Sequence, residues 1–211
     1  MTEEIRSVSR MLKDACALLP ADAAELRVAD IITIFHERGF GFLLFVFALP
    51  AALPLPGLGI NLLIATPLLF LTGQQALGRH TVWFPDGIRE KTISRARFVS
   101  FVESAEPFFR RFEFLIAPRL GFVTQGVFSN FIGLCGIVMA SSILVPLPLT
   151  NTVPAMGIAG MALGVLMRDG LAVIAGMALG LCWVAMLVFV VATLGVDGMD
   201  AVRQVIKGML E

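Results

Sequence analysis

The chain has 211 residues, 57% of them hydrophobic and 15% charged, with a formal net charge of zero. Soluble domains carry about 25% charged residues, so this composition excludes an ordinary water-soluble fold and points to lipid as the solvent. A balanced charge gives no bulk field for nucleic acid, and the sequence carries no nucleic-acid motif.

Charge placement is sharper than charge content. No Asp, Glu, Lys, Arg or His occurs from Gly39 to Gly78, from Leu120 to Met167, or from Gly170 to Val196. One helical membrane pass needs roughly 20 apolar residues. The first two blocks are each long enough for two passes and the third for one. The fold class that follows is all-α: a polytopic helical membrane protein with amphipathic interfacial helices.

In chain order, residues 1–38 read as N-terminal amphipathic helices. Ile5, Val8, Leu12, Ala15 and Leu19 make one apolar face. A second helix is predicted from Asp22, where Glu25 completes a capping-box pattern, with Ala24, Val28, Ile31 and Phe35 on its face. The N-terminal charges leave no uninterrupted apolar run of signal-peptide type. Residues 39–78 form the first membrane hairpin. Residues 79–119 read as a basic, cytoplasmic or interfacial segment with Phe98, Phe101, Val102, Phe108, Phe109 and Phe112 at helical spacing. Residues 120–168 form the second hairpin, 169–196 a C-terminal transmembrane helix, and 197–211 a tail. If the Lys- and Arg-rich flanks stay cytoplasmic, both hairpins enter and return on one side, and Gly87 and Asp169 share that side.

Prolines break both hairpins near their midpoints. A shift of 92 residues superimposes Pro54-Leu55-Pro56 on Pro146-Leu147-Pro148, and a shift of 90 superimposes Asn61 on Asn151. The blocks therefore read as an internal repeat. Proline lacks an N–H and disfavours helix in the residue before it, so each block becomes helix, break, helix. Two readings remain open: surface loops between full crossings, or re-entrant hairpins whose tips end at membrane depth. In the second, Pro54, Pro56, Pro146, Pro148 and Pro154 make the breaks. Asn61, Thr150, Asn151 and Thr152 then become candidate substrate contacts beside restarting helix N-termini.

These residues also carry a family resemblance. The stretch "GFGFLLFVFALPAALPLPGLG", the following Gly78, Arg79, Trp83, Phe84 and Pro85, and "VPLPLTNTVPAMGIAGMALGVLMRDG" resemble the ExoD family. That resemblance implies a bacterial inner (cytoplasmic) membrane protein linked to exopolysaccharide synthesis, with no catalytic residues to carry over. In that family a glycine often precedes the asparagine; here Thr150 precedes Asn151.

Other polar residues have bland alternatives. His36 and His80 sit in polar flanks, and Cys16, Cys135 and Cys182 lack metal-ligand spacing, so no metal or cofactor is expected. Gln74, Gln75 and Asn130 can be satisfied internally or touch a ligand, and Arg168-Asp169 can anchor a helix end or meet a substrate. "IAGMALG" occurs at 158–164 and again at 174–180, giving GxxxG pairs Gly160/Gly164 and Gly176/Gly180. Such pairs serve close helix packing within the chain or in a homodimer. No P-loop, Ser–His–Asp set or paired carboxylate is present, which argues against an enzyme. The expected role is transporter-like, with the lipid bilayer, a second copy, and a small-solute, anion or lipid-linked sugar substrate as partners. The alternative is an accessory or scaffold subunit of a polysaccharide-synthesis complex.

Overall fold

The computed structural model describes residues 24–35, 39–52, 60–100, 102–104, 119–145 and 151–195. The expected N-terminal amphipathic face, residues 197–211 and the two proline breaks (Pro54, Pro56, Pro146, Pro148) lie outside that set.

The first described element corrects the sequence reading. Within the helix expected from Asp22, Glu25–Arg27 is instead a strand, β1, and helix α1 spans Val28–Phe35. The reason is tertiary. A second short strand, β2 (Thr92–Ser94), pairs antiparallel with β1 and sets Leu26 opposite Ile93. Val28 N–H donates to Lys91 O at 2.9 Å and Arg95 N–H donates to Ala24 O at 3.0 Å. This ribbon buries Leu26 and uses Glu25 as a strand residue, which a capping box would have placed in a helical turn. Apart from it, the described elements are helical.

Helices α2 (Gly39–Ala52) and α3 (Ile60–Ala76) flank the first break. A short helix, α4 (Asp86–Arg89), precedes β2, and residues 95–100 and 102–104 are helical. A single 3-10 turn (Gly121–Thr124) leads into α5 (Val127–Leu144). Helix α6 (Thr152–Met167) follows the second break, and α7 (Gly170–Leu194) follows α6 after two residues. Each charge-free block therefore carries one helix in its first half and another in its second. Pro50 falls in the last turn of α2, while Pro154 falls in the first turn of α6, where its missing N–H costs nothing.

The helices pair across the hairpins. Helix α2 packs mainly on α6, α3 mainly on α5, and α6 also on α7. A Cβ at Gly41, near the start of α2, would meet Ala162 O and Leu166 N near the end of α6. Likewise Gly133, near the start of α5, lies against Gln75 and Ala76 at the end of α3. Both cross-pairs are antiparallel. The starts of α2 and α5 and the ends of α3 and α6 thus share one end of the bundle, here called the base. The ends of α2 and α5 and the starts of α3 and α6 share the opposite end, the tip. The α2–α3 and α5–α6 pairs therefore run in the same sense along the bundle.

The interior is a layer of apolar side chains. Leu68, Leu71, Met139, Ile143, Ile158 and Leu166 are almost wholly inaccessible. Phe98 and Val102, from the basic central segment, join this core instead of facing outwards. The outer surface is also apolar. Helices α5 and α7 have the length and composition to cross a membrane, yet only 39% and 28% of their apolar stretches are buried. Leu171, Ile174, Leu179, Val188 and Phe189 of α7 stay exposed. A core helix of a soluble protein hides such residues, whereas lipid leaves them where they are. The hairpin helices have 14, 17, 18 and 16 residues, which is about 21–27 Å of rise.

The shared base gives a labelling prediction. Cysteines at Gly87 and Gln125 are expected to react with a membrane-impermeant maleimide from one and the same side of sealed vesicles. Reaction from opposite sides would contradict parallel hairpins.

Candidate functional site

At the tip, Asn151 stands at the N-cap position of α6, where its backbone oxygen accepts from Ala155 N–H at 3.0 Å. Its side chain makes no capping bond. Thr152 is half-buried and Pro154 buried. Asn61 lies in the first turn of α3, but its side chain, like Thr150, falls outside the described residues. The fold brings both restarting helices to the tip, and the geometry between the two asparagines is not described.

The glycine pairs lie inside one chain. Helices α6 and α7 run antiparallel with Gly157 against Gly180 and Gly160 against Gly176. Gly164 meets Val173. The two copies of "IAGMALG" thus face one another. Gly157, which the sequence reading did not single out, is as tightly placed as its partners: a Cβ there would stand 2.8 Å from Gly180 Cα.

Polar residues gather at the base. Asp169 is buried at 3% exposure and caps α7, its carboxylate accepting from Leu171 N–H at 2.9 Å and Ala172 N–H at 3.3 Å. That placement satisfies two orphan helix donors and favours negative charge at the dipole's positive end. Arg168 closes α6 in the left-handed conformation. The Arg168-Asp169 pair therefore turns the chain between two antiparallel helices.

Gln74 is a structural clamp. Its Nε2 donates to Trp83 O at 3.0 Å and its Oε1 accepts from Trp83 N–H at 2.8 Å. The carboxamide thereby acts as a strand edge for the Trp83 backbone and holds residues 79–85 to α3. The Phe70 ring sits 6.3 Å from that of Trp83 and 5.8 Å from that of Phe84. Arg79 lies over the Trp83 ring at 5.6 Å.

Gln75, one residue on, points elsewhere. It is 1% exposed, its Nε2 donates to Ser129 Oγ at 3.3 Å, and its Oε1 has no partner. It lines a half-open basin of about 220 Å³ with Arg79, His80, Thr124, Gln125, Ser129 and Arg168. Among the described residues no carboxylate lines it. Gly126, also in the wall, is the N-cap of α5 and supplies no side-chain cap. A second cavity of about 340 Å³, lined by Ile32, Val82, Trp83 and Phe84 among others, shares Arg79 with the first. The sequence flagged Gln75 only as a polar amide in an apolar block. Its convergence with Arg79, His80 and Arg168 needs the fold.

An antiparallel bundle of apolar helices, polar at one end and with two helices long and apolar enough to cross a membrane, defines an all-α fold with candidate membrane spans. Comparison with known proteins then places it more narrowly. A family model described as "Exopolysaccharide synthesis, ExoD" matches residues 8–189, so the chain belongs to the ExoD family. Protein ExoD of Rhizobium meliloti is 29% identical over 177 residues, covering 81% of this chain and 72% of that one. An uncharacterized protein of Synechocystis is 32% identical over 153 residues, 72% of each chain. No solved structure matches. The family is linked to exopolysaccharide synthesis, and its model spans both hairpins and nearly all of α7.

Proposed function

We propose that this ExoD-family protein is a multi-pass protein of the bacterial inner membrane that moves a small solute in support of exopolysaccharide synthesis. The solute is an anion or a lipid-linked sugar, and the working unit is a homodimer without enzymatic activity. The observation that supports this reading is the packing of the helices: the ends of α2 and α5 and the starts of α3 and α6, which border the two proline segments, share one end of the bundle. Paired interrupted helices in two halves of a chain are a recurring design of transporter sites. The hairpin helices rise about 21–27 Å against a hydrocarbon core of roughly 30 Å, which favours tips that stop within the membrane. Non-helical backbone survives at that depth only against protein or a wet cavity. Asn61, Thr150, Asn151 and Thr152 are then the polar groups at hand.

A second reading, a non-transporting accessory subunit, draws on the filled interior: Leu68, Leu71, Met139, Ile143 and Ile158 leave a closed apolar layer. Flux decides between them. Purified protein in liposomes is expected to carry at least one of a panel of anions, sugars and polyprenyl phosphates. Asn61→Leu or Asn151→Leu should cut that flux several-fold while thermal stability changes by only about 0.5–1.5 kcal/mol. No flux for any compound, from protein that is folded and correctly inserted, would favour the accessory role.

A further inference from the structure

We infer that Trp83 is a membrane-interface anchor: its indole sits in the lipid headgroup layer at the base and sets how deep the bundle lies. This placement rests on the membrane-embedded reading and concerns the end of the bundle away from the hairpin tips. The ring is held on one side and open on the other. Gln74, itself buried, grips the Trp83 backbone through both ends of its carboxamide, so the segment cannot slide along α3. Phe70 of α3 touches the rings of both Trp83 and Phe84. Trp83 is nevertheless 47% exposed, and its indole N–H makes no hydrogen bond among the described residues. An apolar ring with a donor tip gains most where one side is apolar and the other wet, as at the edge of a bilayer.

Three neighbours agree with lipid as the partner. Leu63, Phe70 and Leu77 recur every seven residues, so Phe70 stands on the side of α3 where Leu63 and Leu77 are exposed. Trp83 is therefore seated at the edge of an apolar outer face. The exposed Arg79 guanidinium lies 5.6 Å from the centre of the ring. A cation there can reach headgroups while its stem stays on the apolar surface. At the same end Phe122 meets Phe128 edge-on at 5.8 Å, both more than half exposed. A depth follows from this boundary. Trp83 is level with Gln74, fourteen residues from Ile60 at the start of α3, or about 21 Å along the helix. Against a hydrocarbon core of roughly 30 Å, the start of α3 then stops about 9 Å short of the far boundary. Helix α7, with 25 residues from the base, rises about 37 Å and reaches it.

Quenching depth in liposomes tests the anchor. The chain has two tryptophans, and Trp183 lies thirteen residues into α7, about 20 Å from the base. In the Trp183→Phe protein, Trp83 emission is expected to be quenched about twofold more by a phosphatidylcholine nitroxide near the headgroup than by one near the chain end. In the Trp83→Phe protein, Trp183 should show the reverse order. Quenching of Trp83 by aqueous iodide and by neither nitroxide, with Trp183 still deep, overturns the anchor and leaves α7 in the membrane. Stronger quenching from the chain end places Trp83 in the hydrocarbon and overturns it too. So does silence towards iodide and both nitroxides, which means that a protein surface such as a second copy covers the ring. If Trp183 also escapes both lipid-borne quenchers, the membrane-embedded reading itself fails, and the anchor with it.

Discussion

Leucine at Gly176 is expected to destabilise the seam between α6 and α7 strongly. A Cβ at that position would stand 2.6 Å from Met161 N and 2.7 Å from Gly157 O. Both are helical backbone atoms and neither can rotate away. Helices α6 and α7 would have to separate along their whole contact, forfeiting dispersion in a seam that a lipid solvent does not otherwise drive together. Overpacking costs about 1–3 kcal/mol when side chains can adjust. With backbone on both sides the upper figure is the floor, and a melting temperature lowered by about 10 °C is expected. Gly73→Ala supplies the contrast. Nothing lies within 4 Å of its added Cβ, and the better helix former should hold or raise stability by up to about 1 kcal/mol. Thermal melts in detergent check both, and a Gly176→Leu protein that melts with the wild type would remove the antiparallel seam. Because the seam lies within one chain, size-exclusion mass of the same variant reads the proposed homodimer separately.

The second large effect belongs to Gln74. Replacing it with leucine removes both hydrogen bonds to the Trp83 backbone and leaves an N–H and a C=O unmatched in a partly buried place. An orphaned group costs about 1–3 kcal/mol, so a local loss of about 2–4 kcal/mol is expected. It should appear as faster amide exchange through residues 79–89 and a red-shifted Trp83 emission, with α5 to α7 unaffected. Gln74→Glu keeps the acceptor for Trp83 N–H and loses the donor, so its effect should be intermediate. Gln75→Leu should leave exchange in 79–89 unchanged, since Gln75 bonds to Ser129 and not to that segment. Equal protection in the Gln74→Leu protein would mean that the ring contacts alone hold the segment.

Several parts of this molecule are legible without coordinates because they are local. A charge-free block of 40 residues with prolines at its middle has few options besides two helices and a break. Helix formation depends on neighbours four residues apart, and proline acts on its own turn. That is why the ends of α2 and α5, the restarts of α3 and α6 and the extent of α7 follow closely from the sequence. The capping-box reading at Asp22 failed for the converse reason. Its local signal was outweighed by β2, about 67 residues further on, which offered Leu26 a partner in Ile93.

What the sequence by itself determined, then, is the all-α class and the place of its described apolar helices. Tertiary structure alone decided the rest. It chose which helix each hairpin arm packs on, and so made the α2–α3 and α5–α6 pairs run in the same sense. It turned the two "IAGMALG" runs towards each other within one chain. It also divided adjacent glutamines, sending Gln74 to the Trp83 backbone and Gln75 into the basin with Ser129, 54 residues away. The physical reason is the same in each case. Periodicity and propensity report which face of an element is apolar, whereas a backbone approach of a few ångströms, or a buried amide bonded across to another helix, exists only between elements.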